Sequence, residues 1–454
     1  MHRWVLVVAA AILAACAASA PEHRTAEEAR ARIDHIVVIF QENRSFDNVF
    51  GLFPGADGLS NSRSAPPQVD RDGRVYRTLP QPMDTSKRPP APDLRFPPDL
   101  PNAPFLIDWF APPGEKTGDL VHRFYQEQHQ INGGRMDKFV AWSNAAGLVM
   151  GHYDGSKLAT WALAKEFTLL DRFHHAAFGG SFLNHFWLVC ACTPVWREAP
   201  AEVRAQLDAG GMLVKDGQVT PDGFVVNTAF STYQPYPANV APDRRVPPQT
   251  LPTIGDRLSG ARVSWAWYSG GWNDALAGNP DRLFQFHHQP LVYFRQFGDG
   301  TAARAEHLKD EKDFLADVDA GRLPAVAFVK PIGADNEHPG YADIARGQQH
   351  VADLVRRIQT SPAWKGTVII TTHDENGGFW DHVAPPVVDR WGPGARVPSI
   401  IVSPFSRRGV VDHTTYDTTS ILRFIAWRHN LAPLGTRDAA AANLLNTLDF
   451  KEPK

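Results

Sequence analysis

The chain has 454 residues, a formal charge of -3 and an isoelectric point near 6.7. That balance excludes the basic footprint of a nucleic-acid binder. A hydrophobic fraction of 43% suffices for a packed core, and 37 prolines with 35 glycines predict long loops.

Arg3, an apolar run over 4–15 and small residues after it read as an export signal over 1–20. The run is too short to span a bilayer comfortably. Leu13-Ala14-Ala15-Cys16 resembles a bacterial lipobox, which would make Cys16 a lipid-bearing first residue, while Ala18-Ser19-Ala20 resembles an ordinary cleavage site. Either ending predicts an exported protein: periplasmic, outer-membrane lipoprotein or secreted. Membrane contact is expected only through that anchor. Residues 21–454 read as one domain.

The first strong strand is 33–40, and it stops at Gln41-Glu42-Asn43-Arg44-Ser45-Phe46-Asp47. The Pro-rich stretch 60–118 reads as a long surface loop. A helix is expected over 119–140, carrying His122 and His129 and broken by Asn132-Gly133-Gly134, and another over 154–165, with a short strand at 167–171. Gly179-Gly180-Ser181 then opens an apolar helical stretch. Serine there is an N-cap candidate. It also sits where free N–H groups and the helix dipole favour a phosphate. Cys190 and Cys192, two residues apart, are poorly placed to bond each other and read as free thiols in a core helix.

Residues 198–246 are polar and Pro-rich and read as an inserted cap, with a small hairpin at 214–219. Helix and strand then alternate: helix 253–258, strand 263–268, a charged helix 303–320, strand 325–329, an amphipathic helix 345–360, strand 367–372, strand 398–403 and helix 418–429. This alternation predicts an α/β protein with a mostly parallel central sheet flanked by helices.

The strand at 367–372 also ends on acids, Asp374 and Glu375, before Gly377, Gly378, Asp381 and His382. In open α/β sheets functional groups sit beyond the carboxyl ends of strands. If the two strands lie parallel and adjacent, Glu42, Asn43, Asp374 and Glu375 converge. Carboxylates about 4 Å apart repel by roughly 4 kcal/mol at an effective dielectric near 20. A divalent cation would compensate, or Arg44 could. An oxygen-only set favours Ca²⁺ or Mg²⁺. Ser181, activated by such an ion, could attack phosphorus.

Residues 33–47 and 372–383 resemble the two signatures of the bacterial phosphoesterase family, which comprises non-haemolytic phospholipases C and acid phosphatases on an alkaline phosphatase-like fold. Gly133-Gly134-Arg135-Met136-Asp137-Lys138-Phe139 and Glu337-His338-Pro339-Gly340 also resemble it, so the likeness covers nearly the whole mature chain. The resemblance implies one divalent ion on Glu42, Asn43, Ser181, Asp374 and Glu375, with Ser181 also the nucleophile. It implies a phosphate pocket lined by His122, His288 and His338, with His129 competing for the place of His122 and His287 for that of His288. Phospholipases C of the family usually carry Thr in a Pro-Asn-Arg context at the nucleophile. Gly179-Gly180-Ser181-Phe182-Leu183-Asn184-His185 is similar to the acid phosphatase branch instead. The implied activity is therefore phosphomonoester hydrolysis through a phosphoserine, with phospholipase C as the alternative. A sulfatase would need a C/S-x-P-x-R motif, and Cys192-Thr193-Pro194-Val195-Trp196-Arg197 is one residue too long. A non-catalytic, metal-binding envelope protein is the alternative of another class.

Overall fold

The computed structural model describes residues 27–450. The signal segment and Cys16 lie outside the described residues. An eight-stranded sheet forms the centre. Its strands are β1 (His35–Gln41), β2 (Thr168–Leu170), β3 (Trp265–Ser269), β4 (Leu308–Asp310), β5 (Val326–Lys330), β6 (Thr367–His373), β7 (Ser399–Val402) and β8 (Val410–Asp412). Their spatial order is β4-β3-β5-β1-β6-β7-β2-β8. Only β7 runs against its neighbours, β6 and β2. The sheet is thus mostly parallel, as the alternating pattern predicts.

β1 and β6 are adjacent, parallel and in register from His35 opposite Thr367 to Gln41 opposite His373. This is the condition on which the convergence of the two acidic strand ends depends. β5 flanks β1 on its other side, with Ile39 opposite Val329. Three neighbouring strands therefore end together.

Both sheet faces are covered, which explains why β1 is continuously apolar. Ile36, Val38 and Phe40 share one core with Phe182, Leu183 and Phe186 of α3 (Ser181–Cys190) and Ile421, Phe424 and Ile425 of α6 (Thr418–His429). Val37 and Ile39 belong to a second core. It includes Trp161 and Ala164 of α2 (Ala159–Glu166), Phe314 and Val318 of α4 (Glu311–Asp319), and the inner stripe of α5 (Ile344–Gln359). In α5 Val351, Leu354, Val355 and Ile358 are buried, each burial stabilising by about 1.5–3 kcal/mol. Asp343 caps that helix by accepting the Arg346 N–H.

Four expectations change. The helix expected over 119–140 starts later, as α1 (Phe124–Ile131), and stops at the break expected at 132–134, with Asn132 in the left-handed region at φ 47°. Residues ahead of it stay non-helical and carry His122 to the sheet. The helix expected over 303–320 is split by β4, because buried Leu308 and Asp310 pair with β3 and Asp310 then caps α4. Cys190 and Cys192 form a disulfide rather than remaining free thiols. The helix ends at Cys190, and Ala191 at φ 47° turns the chain back on itself. The 198–246 segment holds a hairpin at Gln206–Leu207 and Leu213–Lys215, earlier than the one expected at 214–219. No described helix is long and apolar enough to cross a membrane.

Candidate active site

The carboxyl ends of β1, β5 and β6 place Glu42, Lys330 and Asp374 side by side. All three are fully buried, as are Asn43 and Glu375. Lys330 Nζ stands 2.6 Å from Glu42 Oε1 and 3.2 Å from Asp374 Oδ2. Asp374 Oδ1 accepts the backbone N–H of Asn43 and of Glu375. Glu375 Oε2 accepts the N–H of Gly377. Gly377 sits at φ 63°, and a Cβ there would lie 2.4 Å from the carbonyl oxygen of Asn43. A glycine is therefore what lets the two strand ends close on each other.

Ser181 reaches this cluster from the opposite side, at the start of α3. Its Oγ lies 3.2 Å from Glu42 Oε2, 3.2 Å from Asn43 Oδ1 and 3.4 Å from Glu375 Oε1. The hydroxyl has one proton and faces three acceptors. The approach depends on Gly179 and Gly180. A Cβ on Gly179, at φ 88°, would lie 2.4 Å from the Phe124 nitrogen, and one on Gly180 would lie 2.8 Å from the His122 carbonyl oxygen. The same packing brings His122 beside Ser181. Glu127 Oε2 accepts the Gly179 N–H, and Asn184 bonds Ala177, Gly179 and Gly180. Ser181 itself makes no side-chain cap, so its hydroxyl is left to the cluster.

The histidines separate by position. His122 Nδ1 lies 2.5 Å from the Leu120 carbonyl and donates to it, so Nε2 accepts from Asn43 Nδ2 at 3.3 Å. His338 Nδ1 likewise donates to the Pro339 carbonyl, and its Nε2 lies 3.9 Å from Glu42 Oε2. His129 instead stacks on Trp142. His287 lines the cavity, whereas His288 lies behind it with Nε2 2.6 Å from Glu42 Oε1. Arg44 does not compensate the acids; it donates to the Glu337 carbonyl and packs on Phe379.

The cavity above Ser181 holds about 410 Å³. Glu42, His122, His338 and Tyr341 line its floor and near wall, while Asn227 and Thr228 come from the segment read as an inserted cap.

Burial dominates the protonation of the cluster. It pushes Asp374 up to about 6, with the Glu42 charge adding and Lys330 opposing. Burial and then the Asp374 charge raise Glu375 well above the usual carboxylate range. Burial also works against the charge of Glu42, but Lys330 and His288 together overcome it and hold Glu42 well below that range. Burial keeps His338 below its ordinary value and takes His288 down to about 4. Three buried carboxylates thus face one buried ammonium, and a hydroxyl points only at acceptors. A divalent cation among Glu42, Asn43, Ser181, Asp374 and Glu375 fits both the charge deficit and the all-oxygen donor set.

Two groups here escape a reading of the sequence. Lys330 is the last residue of β5, one beyond the strand expected at 325–329. The rule that placed Glu42 and Asp374 would have found it had the strand been extended. His185 is four residues after Ser181 and so on the same helix face. Its Nδ1 donates to the Ser181 carbonyl, and its ring stacks on His288. Asp381 and His382, by contrast, join a separate buried cluster with Asp47 and Arg396.

Residues 33–432 match the model of the phosphoesterase family. The chain is 28% identical to phospholipase C A of Mycobacterium tuberculosis strain CDC 1551, over 93% of this chain and 78% of that protein. It is 25% identical to the non-hemolytic phospholipase C of Pseudomonas aeruginosa, over 93% of this chain and 58% of that protein. Among solved structures it resembles an alkaline phosphatase superfamily protein from Vibrio parahaemolyticus, at 12% identity and a TM-score of 0.36, covering 64% of this chain and 65% of that one. A serine held over clustered acids at the carboxyl edge of a parallel sheet is the equipment of a hydrolase of phosphoric esters, and the comparisons support that class. The chain belongs to the phosphoesterase family.

Proposed function

We propose that the protein hydrolyses phosphomonoesters, as an acid phosphatase, through a phosphoserine at Ser181. The observation that carries this is the placement of Ser181 Oγ within 3.4 Å of three oxygens from both acidic strand ends, at the floor of the cavity. Ser181 Oγ attacks phosphorus, the bond to the leaving oxygen breaks, and water then releases phosphate from the serine. His122 and His338 point Nε2 toward the acid cluster; once that nitrogen is protonated in acid, each contacts phosphoryl oxygens or hands a proton to the leaving group. His288 stands behind Glu42, outside the cavity lining, so of the two neighbouring histidines His287 is the one left to meet substrate. Glu42, Asn43, Ser181, Asp374 and Glu375 hold the divalent ion, Ca²⁺ or Mg²⁺ by donor type. When bound it lowers the pKa of the serine hydroxyl and offsets charge on the phosphoryl group.

The monoester reading gains support from the cavity lining. Apart from histidines its aromatic residues are Phe182 and Tyr341, and Tyr341 is stacked on His338. A quaternary ammonium headgroup is held by several aromatic faces, and this lining offers few. The relatives named phospholipase C favour the second reading, cleavage of a phospholipid headgroup diester. The deciding experiment compares p-nitrophenyl phosphate with p-nitrophenyl phosphorylcholine, with and without a chelator. Faster, chelator-sensitive release from the monoester supports acid phosphatase activity. Faster release from the diester replaces it with the phospholipase reading. No turnover of either would count against Ser181 as a nucleophile and favour the non-catalytic alternative. The export and lipid-anchor readings are proposals tested by labelling intact cells for Cys16 acylation.

A further inference from the structure

The acid cluster has two sides, and Ser181 occupies only one. On the other, Lys330 Nζ and His288 Nε2 each stand 2.6 Å from Glu42 Oε1, and the His185 ring stacks on His288 beside them. Ligand atoms of Glu42, His185 and His288 all lie within 4.8 Å of one another. The two imidazoles are buried, and the Nε2 of each lacks a hydrogen-bond partner. His185 Nδ1 already donates to the Ser181 carbonyl, so its Nε2 carries a lone pair. His288 Nε2 approaches Glu42 Oε1 at 2.6 Å without hydrogen-bond alignment. Two imidazole nitrogens and a carboxylate oxygen are the donor set of a zinc-type ion, not of Ca²⁺ or Mg²⁺. What already stands against Glu42 Oε1 is the Lys330 ammonium, at 2.6 Å.

We propose that Lys330 is a built-in cation standing in place of a second divalent ion on Glu42, His185 and His288, and that it restricts the centre to a single ion. The inference rests on the reading of the acid cluster as a metal site. Charge balance favours it. Glu42, Asp374 and Glu375 carry three negative charges when ionised, which Lys330 and one divalent ion offset. A second divalent ion beside Lys330 would leave a buried excess of two positive charges, which burial penalises. Lys330 has no slack to move aside, since it is fully buried, donates to the Gln41 carbonyl, and packs on Phe40.

The test counts ions. Metal-stripped protein is dialysed to equilibrium against Co²⁺, and bound metal is measured by elemental analysis, with circular dichroism reporting the fold. Wild type and Lys330→Arg are expected to bind one ion per chain, and Lys330→Ala two. The double variant Lys330→Ala/His185→Leu should return to one. The second ion should add nitrogen-ligand features to the cobalt spectrum. Two ions in wild type would overturn the proposal and leave the metal reading standing. So would one ion in a folded Lys330→Ala. No ion in wild type would instead sink the metal reading itself. Should Lys330→Ala fail to fold, His185→Leu in the wild-type background decides. One ion retained supports the assignment; loss of that ion refutes it, because the resident ion would then depend on the histidine side.

Discussion

Replacing Arg396 with methionine should cost about 3–5 kcal/mol of stability, the range for removing one partner of a buried ion pair. Arg396 is fully buried. Its Nε donates to Asp381 Oδ1 at 2.8 Å, and one terminal nitrogen reaches Asp47 Oδ1 at 3.1 Å and Asp381 Oδ2 at 3.2 Å. The other donates to the carbonyls of Asp57 and Asp171 at 2.7 and 2.8 Å. Asp47 follows β1 and Asp381 follows β6, so the guanidinium ties together the two segments that carry the clustered acids Glu42, Asp374 and Glu375. Methionine fills similar volume against Phe46 but leaves two buried carboxylates and two carbonyls without their donor. The expected loss lowers the folding equilibrium constant by roughly two to three and a half decades. The assay is urea unfolding followed by tryptophan fluorescence. Arg396→Met/Asp381→Asn should lose less than the sum of the single variants, because the two share one interaction. A single-variant loss under about 1 kcal/mol would refute the reasoning.

Two further predictions concern other parts of the chain. Gly179→Ala should cost about 1–3 kcal/mol, the range for a strained backbone position, because the new methyl meets the Phe124 backbone at φ 88°. It should also lower kcat at least about tenfold by moving Ser181 against His122; unchanged kcat would separate the glycine pair from catalysis. For His350, burial lowers the pKa, but the hydrogen bond and charge of Glu311 outweigh it, so the folded value lies above the ordinary one. The stability it adds is therefore complete below about pH 6.5, its unfolded value, and is lost as pH rises through the folded value. Wild type should exceed His350→Gln by about 1 kcal/mol at acid pH and by nothing once the histidine is neutral, read from urea midpoints. A gap that widens with pH would reverse the assignment.

How much of this was legible in the residues depends on range. The acidic strand ends could be read because β1 and β6 are short, apolar, and stop abruptly at polar groups. Their adjacency, on which everything turns, is a property of the sheet order β5-β1-β6 and lies more than 300 residues apart in the chain. Lys330 was hidden for the same reason: a lysine at a strand end reads as solvated until its neighbours are known to be acids. Arg44 looked like the nearer counter-charge in sequence, yet it turns to the Glu337 carbonyl. The disulfide was missed because a two-residue spacing was judged as if the helix continued, whereas Ala191 ends it. Asp381 and His382 sit in the same motif as Asp374 and Glu375, but their contacts are with Asp47 and Arg396, which makes them part of the framework.

The measurement closest to the central claim is acid-quench trapping. Enzyme turning over a phosphomonoester is stopped in acid, digested and mapped by mass spectrometry. The account predicts one added phosphoryl group on the peptide containing Ser181, absent in Ser181→Ala and in chelator-treated protein. Phosphate release that persists in Ser181→Ala, with no adduct on the wild-type peptide, would contradict it.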